Sequence, residues 1–350
     1  MAGQEALDLV QGVAGRRLQN QPAVACARGE RAGGDARMVG RVDALEVSNP
    51  PTADDLEKIA ERVPDLRGYP LRAEPLPGGL TNLNYRIHGA PQEYVLRVTG
   101  EAEMLGADRE AEYAATVIAG GLGIGPQVLA YLRPEKILIT RFIDGVGVPP
   151  EQLRTTAMIG QVAATLRRLH QGPPVPASFS AFGIVETYRD NARWLGVALP
   201  EAFEWSWQRA GEMRAALDAA PPEPCLCHND LLNANFLLEQ GRLLIVDWEY
   251  AGMGDPFFDL ASFSANHDLS EDDDRVLLRA YLGRVRERDI ARLRLMRIMS
   301  DFREAMWGVV QQGLRTTDAD YVAYAEKFFG RLRERASDER YPKWITLLAG

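Results

Sequence analysis

Cysteine and histidine are both scarce in this chain of 350 residues, which has three of the first and four of the second. Cys26, Cys225 and Cys227 cannot make a disulfide framework, and so few thiols suggest a reducing compartment. Cys225-x-Cys227-His228 resembles part of a zinc-binding motif, but no second pair of Cys or His follows at metal spacing. Zinc is therefore not expected, and the segment reads as a strand entering a loop. No apolar run approaches the roughly 20 residues of a membrane-spanning helix, and the N-terminus lacks the basic-then-apolar pattern of a secretory signal. A cytoplasmic location without membrane insertion is expected. There is no excess of basic residues either. A net charge of −9 and a pI near 5.2 speak against nucleic acid or an anionic membrane as partner. Hydrophobic content of 46% and charged content of 25% are those of an ordinary globular protein, and the length allows two lobes with their own cores.

The densest chemistry lies between Cys225 and Leu260. His228, Asn229 and Asp230 are followed four residues later by Asn235, and then by apolar runs over Phe236 to Leu238 and Leu243 to Val246. Gln240-Gly241 marks the turn between the runs, so a hairpin returns the chain to Asp247 beside Asn235. Taken singly, these Asn and Asp residues are turn formers. Together they have the spacing of a phosphoryl-transfer centre. Asp230 can receive the proton of an acceptor hydroxyl, while Asn235 and Asp247 can hold Mg²⁺ against nucleotide phosphates. His228 reads as a support of the loop, and Asp255 and Asp259 as supports of the loop after the metal site.

Upstream, residues 1–50 are rich in Gly, Ala, Arg and Gln and read as an extension without a fixed fold. Thr52 can cap a helix over Ala53 to Arg62. Pro75 to Asn82 is a glycine-rich turn between strands, in which Gly78 and Gly79 let the backbone approach phosphates and Thr81 and Asn82 can donate to them. A plain hairpin turn is the more usual explanation of such glycines, and no Gly-Lys-Ser/Thr follows as in a Walker loop. Tyr94 to Val98 reads as a strand carrying one cation, Arg97, and Asp108 to Ile118 as a helix. In a phosphotransferase, Arg97 would touch the phosphates and pair with a helix glutamate. Glu112 is preferred for that pairing, with Glu110 as the alternative. Val128 to Tyr131 and Lys136 to Phe142 complete a small sheet, and the main chain at Arg141 and Ile143 is where adenine would be read.

From Pro150 onward helical periodicity prevails. Met158, Val162, Leu166 and Leu169 share a helix face, and His170 at its end reads as structural. Helices follow near Glu186 to Leu195, Pro200 to Leu217, Asp273 to Tyr281, Glu287 to Gln312 and Asp318 to Arg335.

The motifs HNDLLNAN, IVDWEYAGMGDPFFDLA and REAMWGVVQ resemble those of the choline/ethanolamine kinase family, within the aminoglycoside-phosphotransferase-like small-molecule kinases. The resemblance runs from about Leu76 to Phe329 and implies an α+β fold with two lobes, like that of the protein kinases. Residues 51–143 would form the β-rich nucleotide lobe and residues 144–350 the helical lobe with the catalytic and acceptor sites. The resemblance implies ATP and Mg²⁺ as cofactors, Asp230 as catalytic base, Asn235 and Asp247 as metal ligands, and Arg97 in place of the usual lysine. It also implies a cage of aromatics and carboxylates for a small amino alcohol, with Glu249, Tyr250, Trp307, Tyr321 and Tyr324 at the matching positions. Where some members carry a second tryptophan one turn after the first, this chain has Val310, so the cage is thinner.

The expected partner is thus a small-molecule amino alcohol, choline or ethanolamine, and a homodimer is left open. An aminoglycoside, thiamine or a sugar as acceptor keeps the same chemistry. A nucleotide-binding pseudokinase is the reading from another class, and the presence of Asp230, Asn235 and Asp247 weighs against it.

Overall fold

The computed structural model describes residues 47–76, 82–99, 105–314 and 319–349, so the expectations for residues 1–46 and for Gly78, Gly79 and Thr81 lie outside the described residues. Among the described residues the first element is α1 (Ala53–Arg62), closed by a reciprocal cap between Thr52 and Asp55. Its apolar side, Leu56 and Ile59, packs with Tyr85, Ile87, Leu96 and Ile139 in a small core. Those last four belong to an antiparallel sheet of β1 (Arg72–Pro75), β2 (Asn82–His88), β3 (Tyr94–Thr99), β4 (Val128–Leu132) and β5 (Ile137–Arg141), in the order β1-β2-β3-β5-β4. Helix α2 (Arg109–Gly121) connects β3 to β4, with the Asp108 carboxylate accepting from the Glu110 and Ala111 N–H groups. Asp108, expected inside the helix, is its cap.

Helices make up the larger body: α3 (Pro150–Leu153), α4 (Thr156–His170), α5 (Ala181–Trp194), α6 (Ala202–Asp218), α7 (Pro256–Asn266), α8 (Glu271–Leu282), α9 (Glu287–Leu314), α10 (Tyr321–Ala336) and α11 (Tyr341–Ala349). They enclose a second, larger core. Its axis is α9, almost wholly buried from Ala291 to Gln311. A helix buried on all sides is usually apolar all round. This one carries Arg292, Arg297, Asp301, Arg303 and Glu304 inside, each in an ion pair. No helix among the described residues is long and apolar enough to cross a membrane.

Two small sheets set the functional loops in this body. Strand β7 (Cys225–Cys227) pairs with β10 (Gly252–Gly254), and β6 (Val146–Gly147), β8 (Phe236–Glu239) and β9 (Arg242–Ile245) form the other. The hairpin expected at Gln240-Gly241 is present. Both turn residues have positive φ, 52° and 79°, as the two-residue turn that suits strand twist requires. The Val246 N–H donates to the Asn235 carbonyl at 3.0 Å, which carries the ladder one step further and places Asn235 and Asp247 at the same end of the hairpin.

Elsewhere the structure departs from the sequence expectations. The segment after Asp247 is not a continuous loop: Asp255 caps α7, which begins at Pro256, and Asp259 lies within that helix. Helix α11 was not anticipated. Helix α5 starts at Ala181 rather than Glu186, because the Ser180 hydroxyl caps the Gly183 N–H.

Helices α9 and α10 meet closely at Gly308, where an added Cβ would stand 2.9 Å from Tyr324 Cδ1 and 3.2 Å from the Ala325 nitrogen. Gly308→Ala is therefore expected to cost about 1–3 kcal/mol of stability through overpacking. Thermal melts check this, and an unchanged midpoint would show that α10 moves aside freely.

Candidate active site

Strand β7 leads directly into His228, Asn229 and Asp230, and all three are buried. Asn229 and Asp247 both have left-handed backbones, with φ of 65° and 68°. Asn and Asp tolerate this region better than other non-glycine residues, and it persists where neighbours over-determine it. Those neighbours are present. The Asp259 carboxylate accepts from the His228 N–H at 2.9 Å and the Asn229 N–H at 2.7 Å, and the Asn229 amide donates to the Tyr250 carbonyl at 3.0 Å. His228 accepts the Asp230 N–H at Nδ1 (3.2 Å), so its proton is on Nε2, which donates to the Val246 carbonyl at 3.0 Å. The histidine thus ties the loop to the hairpin. Burial alone would raise the pKa of Asp259, but the hydrogen bonds from His170 and from the His228 N–H hold it below the usual carboxylate value.

Arg97 on β3 pairs with Glu112 on α2, the glutamate preferred from sequence, and also with Asp247 at 2.8 Å. Burial disfavours its charge, but Asp247 and then Glu112 outweigh burial and raise its pKa. Arg109 extends the cluster by donating to Glu112 at 2.5 Å and to the Asn82 side-chain oxygen at 2.7 Å. The Asn82 amide in turn donates to Glu249 at 2.7 Å. Burial, then the charge of Asp247, push Glu249 up to about 7. Asn82 and Glu249 are therefore joined to the cluster of Arg97, Arg109 and Glu112.

Trp307, Tyr321 and Tyr324 do come together. Tyr321 and Tyr324 stand edge-on to Trp307 at 5.8 and 5.4 Å between ring centres. The Tyr324 hydroxyl donates to Glu304 at 2.6 Å. Arg303 bridges Glu304 and Asp230, at 2.7 Å to each. Tyr250 is buried with the Arg303 guanidinium 4.4 Å over its ring. Burial opposes the charge of Arg303, but Asp230 and Glu304 raise its pKa, while burial raises that of Glu304. Sequence reading missed Arg303, Glu304 and Arg109. A signal for the first two was present, because Arg303 and Glu304 lie four and three residues before Trp307 and so share its helix face.

The donor set at the hairpin suits a hard cation. The Asn235 amide nitrogen donates to the Asp230 carbonyl at 2.8 Å, which directs the amide oxygen away from that carbonyl. Asp247 gives one oxygen to Arg97 and keeps the other. One amide oxygen and one carboxylate oxygen, completed by water and phosphate, fit Mg²⁺. At the linker between the sheet and the helices, the Arg141 N–H is used by the Gln127 carbonyl at 2.8 Å and the Arg141 side chain reaches Glu239 at 2.6 Å, while Ile143 is buried.

A small antiparallel sheet above a helical body, with a His-Asn-Asp loop facing an Asp-bearing hairpin, is the plan of the protein-kinase-like phosphotransferases. Residues 72–296 match the phosphotransferase enzyme family. The chain belongs to that family and to its choline/ethanolamine kinase-like group, enzymes that phosphorylate an alcohol. It is similar to a choline/ethanolamine kinase family protein from Mesorhizobium loti, with a TM-score of 0.72 and 30% identity over 85% of this chain and 98% of that one. The choline/ethanolamine kinase of Rattus norvegicus is 24% identical over 311 residues, 73% of this chain and 78% of that protein. The structure of LicA in complex with AMP has a TM-score of 0.65 and 20% identity, covering 79% of this chain and 98% of that one.

Proposed function

We propose that this enzyme transfers the γ-phosphoryl group of ATP, with Mg²⁺, to the hydroxyl of choline or ethanolamine. The observation that carries this reading is the buried path from Asp230 through Arg303 and Glu304 to Tyr324 and Trp307. Two carboxylates and one guanidinium leave one net negative charge beside three aromatic rings. That suits a compact ammonium head whose hydroxyl lies only two carbons away. The names of the rat and Mesorhizobium relatives point to the same acceptors, and the AMP held by LicA to an adenine nucleotide.

In this reading residues 51–143 hold the nucleotide, with the phosphates near Gly78, Gly79, Thr81 and Arg97 and the adenine at the main chain of Ile143. Residues 144–350 hold the catalytic loop and the acceptor. Asp230 takes the acceptor proton as the hydroxyl oxygen bonds to phosphorus and the bond to the ADP oxygen breaks. Its Oδ1 is fixed by Arg303 at 2.7 Å, and Oδ2, with only a long 3.5 Å contact from the Asn235 amide, is the oxygen for the proton. Asn235 and Asp247 would hold Mg²⁺, which when bound neutralises charge on the phosphates. Most of the rate then comes from positioning and fixed charge.

Trp307→Ala tests the acceptor side. A ring face lost from a cation costs about 0.5–2 kcal/mol, so KM for choline or ethanolamine should rise roughly 2- to 30-fold with kcat little changed. ADP release is measured with choline, ethanolamine, thiamine and kanamycin. Turnover of thiamine or kanamycin with both amino alcohols inert would refute the acceptor assignment and keep the phosphotransferase.

A further inference from the structure

We propose that His170, Cys225 and Cys227 form a second cation site, for one thiophilic ion of the zinc class, at the base of the catalytic loop. Their donor atoms all lie within 4.8 Å of one another. The sequence spacing gave no reason to expect this, because the third ligand comes from the end of α4, far away in the chain.

Cys225 and Cys227 are two apart on strand β7, so their side chains leave the same face. Their sulfurs are 3.8 Å apart. Two thiolates at the usual Zn–S distance of about 2.3 Å with tetrahedral angles are separated by about 3.8 Å, so the pair already has the bite of one tetrahedral ion. His170 completes a three-ligand set. Its Nε2 faces Asp259 at 2.9 Å and carries the proton, which leaves the Nδ1 lone pair available as a ligand. A carboxylate on the far nitrogen is the support that metal-bound imidazoles characteristically have. Nδ1 now accepts from the Tyr281 hydroxyl at 2.7 Å, a contact the ion would displace, and water would take the fourth position. The His170 side chain is only 3% exposed and Cys227 is buried, while Cys225 is half-buried and offers the route of entry. Binding breaks both S–H bonds, forms two metal–sulfur bonds and releases two protons per ion.

None of the three ligands takes part in the phosphoryl-transfer scheme above, so the proposal stands independently of the acceptor. The site is nevertheless joined to the catalytic loop. Asp259, behind His170, also holds the His228 and Asn229 N–H groups, and Cys227 directly precedes His228.

The test uses the full-length reduced protein with excess Mg²⁺ to saturate the hard-cation site, titrated with Co²⁺ as an optical stand-in for zinc. The expected result is thiolate-to-cobalt charge-transfer absorption that saturates at one ion per chain, releases two protons and is abolished by Zn²⁺. Cys225→Ala, at the half-buried position, should lose the band. Tyr281→Phe should bind more tightly, because it removes the hydroxyl competing for Nδ1. Absence of the band in the unmodified protein, or its survival at full stoichiometry in Cys225→Ala, would reduce the pair to hydrogen-bonded thiols and overturn the site. Unchanged or weaker binding by Tyr281→Phe would remove His170 from the ligand set and overturn the three-ligand site as well.

Discussion

Asp230→Asn should lower turnover by about 10²- to 10⁴-fold, the range expected when a positioned general base is lost, and leave the protein folded. The carboxamide has nearly the same shape, and its oxygen can still accept from Arg303, which approaches Asp230 Oδ1 at 2.7 Å. Arg303 also keeps Glu304 as a counter-charge at 2.7 Å, so no buried guanidinium is left alone. What disappears is the oxygen that could take up a proton. Nucleotide binding should change little, because Arg97, the cation proposed to meet the phosphates, is tied to Glu112 and Asp247 rather than to Asp230. Single-turnover rates and nucleotide affinity separate these effects. A kcat within about tenfold of the unmodified enzyme, with the melt unchanged, would remove Asp230 from the role of base.

The arrangement of the candidate catalytic loop and hairpin was legible in the sequence because short-range rules govern it. The order His-Asn-Asp, four residues, Asn, a two-residue turn and Asp leaves the chain few options once Gln240 and Gly241 adopt positive φ. Between Glu112 and Glu110 the sequence allowed only a preference, and the phase of α2 in the structure decides for Glu112. The acceptor side was harder to read, because its contacts join parts of the chain far apart in sequence. Arg303 lies 73 residues from Asp230, and Tyr324 lies 20 from Glu304. Periodicity places Arg303 and Glu304 on a helix but cannot say that the helix is buried on every side. On a partly exposed helix the same two charges would be ordinary surface residues. The contact of Tyr250 was hidden for a related reason: the cation over its ring is Arg303, 53 residues further along the chain. Helix α7 was hidden by composition, since GMGDPFFD reads as a turn until Asp255 is recognised as a cap with Pro256 in the first turn.

The largest effect on stability is expected at Asp259, a residue that touches no substrate in the proposed mechanism. Its carboxylate is fully buried and accepts three hydrogen bonds, from the His228 N–H, the Asn229 N–H and His170 Nε2. Asp259→Ala leaves all three buried donors without that acceptor. Removing one partner from a buried charged network of this kind costs about 3–5 kcal/mol. For a protein of this size that lowers the melting midpoint by roughly 4–8 °C. The pH dependence has a definite sign. Asp259 has a folded-state pKa below its ordinary value, so its stabilising contribution is complete at neutral pH and is lost as the pH falls through that lowered pKa. The gap between the unmodified protein and Asp259→Asn should therefore narrow as the pH is taken below about 4. Turnover should fall with stability, because the left-handed turn at Asn229 loses the acceptor that holds it. Melts at neutral and acidic pH decide the matter. A shift of less than about 2 °C at pH 7 for Asp259→Ala would mean that other groups satisfy the loop amides and that the catalytic loop does not depend on this carboxylate.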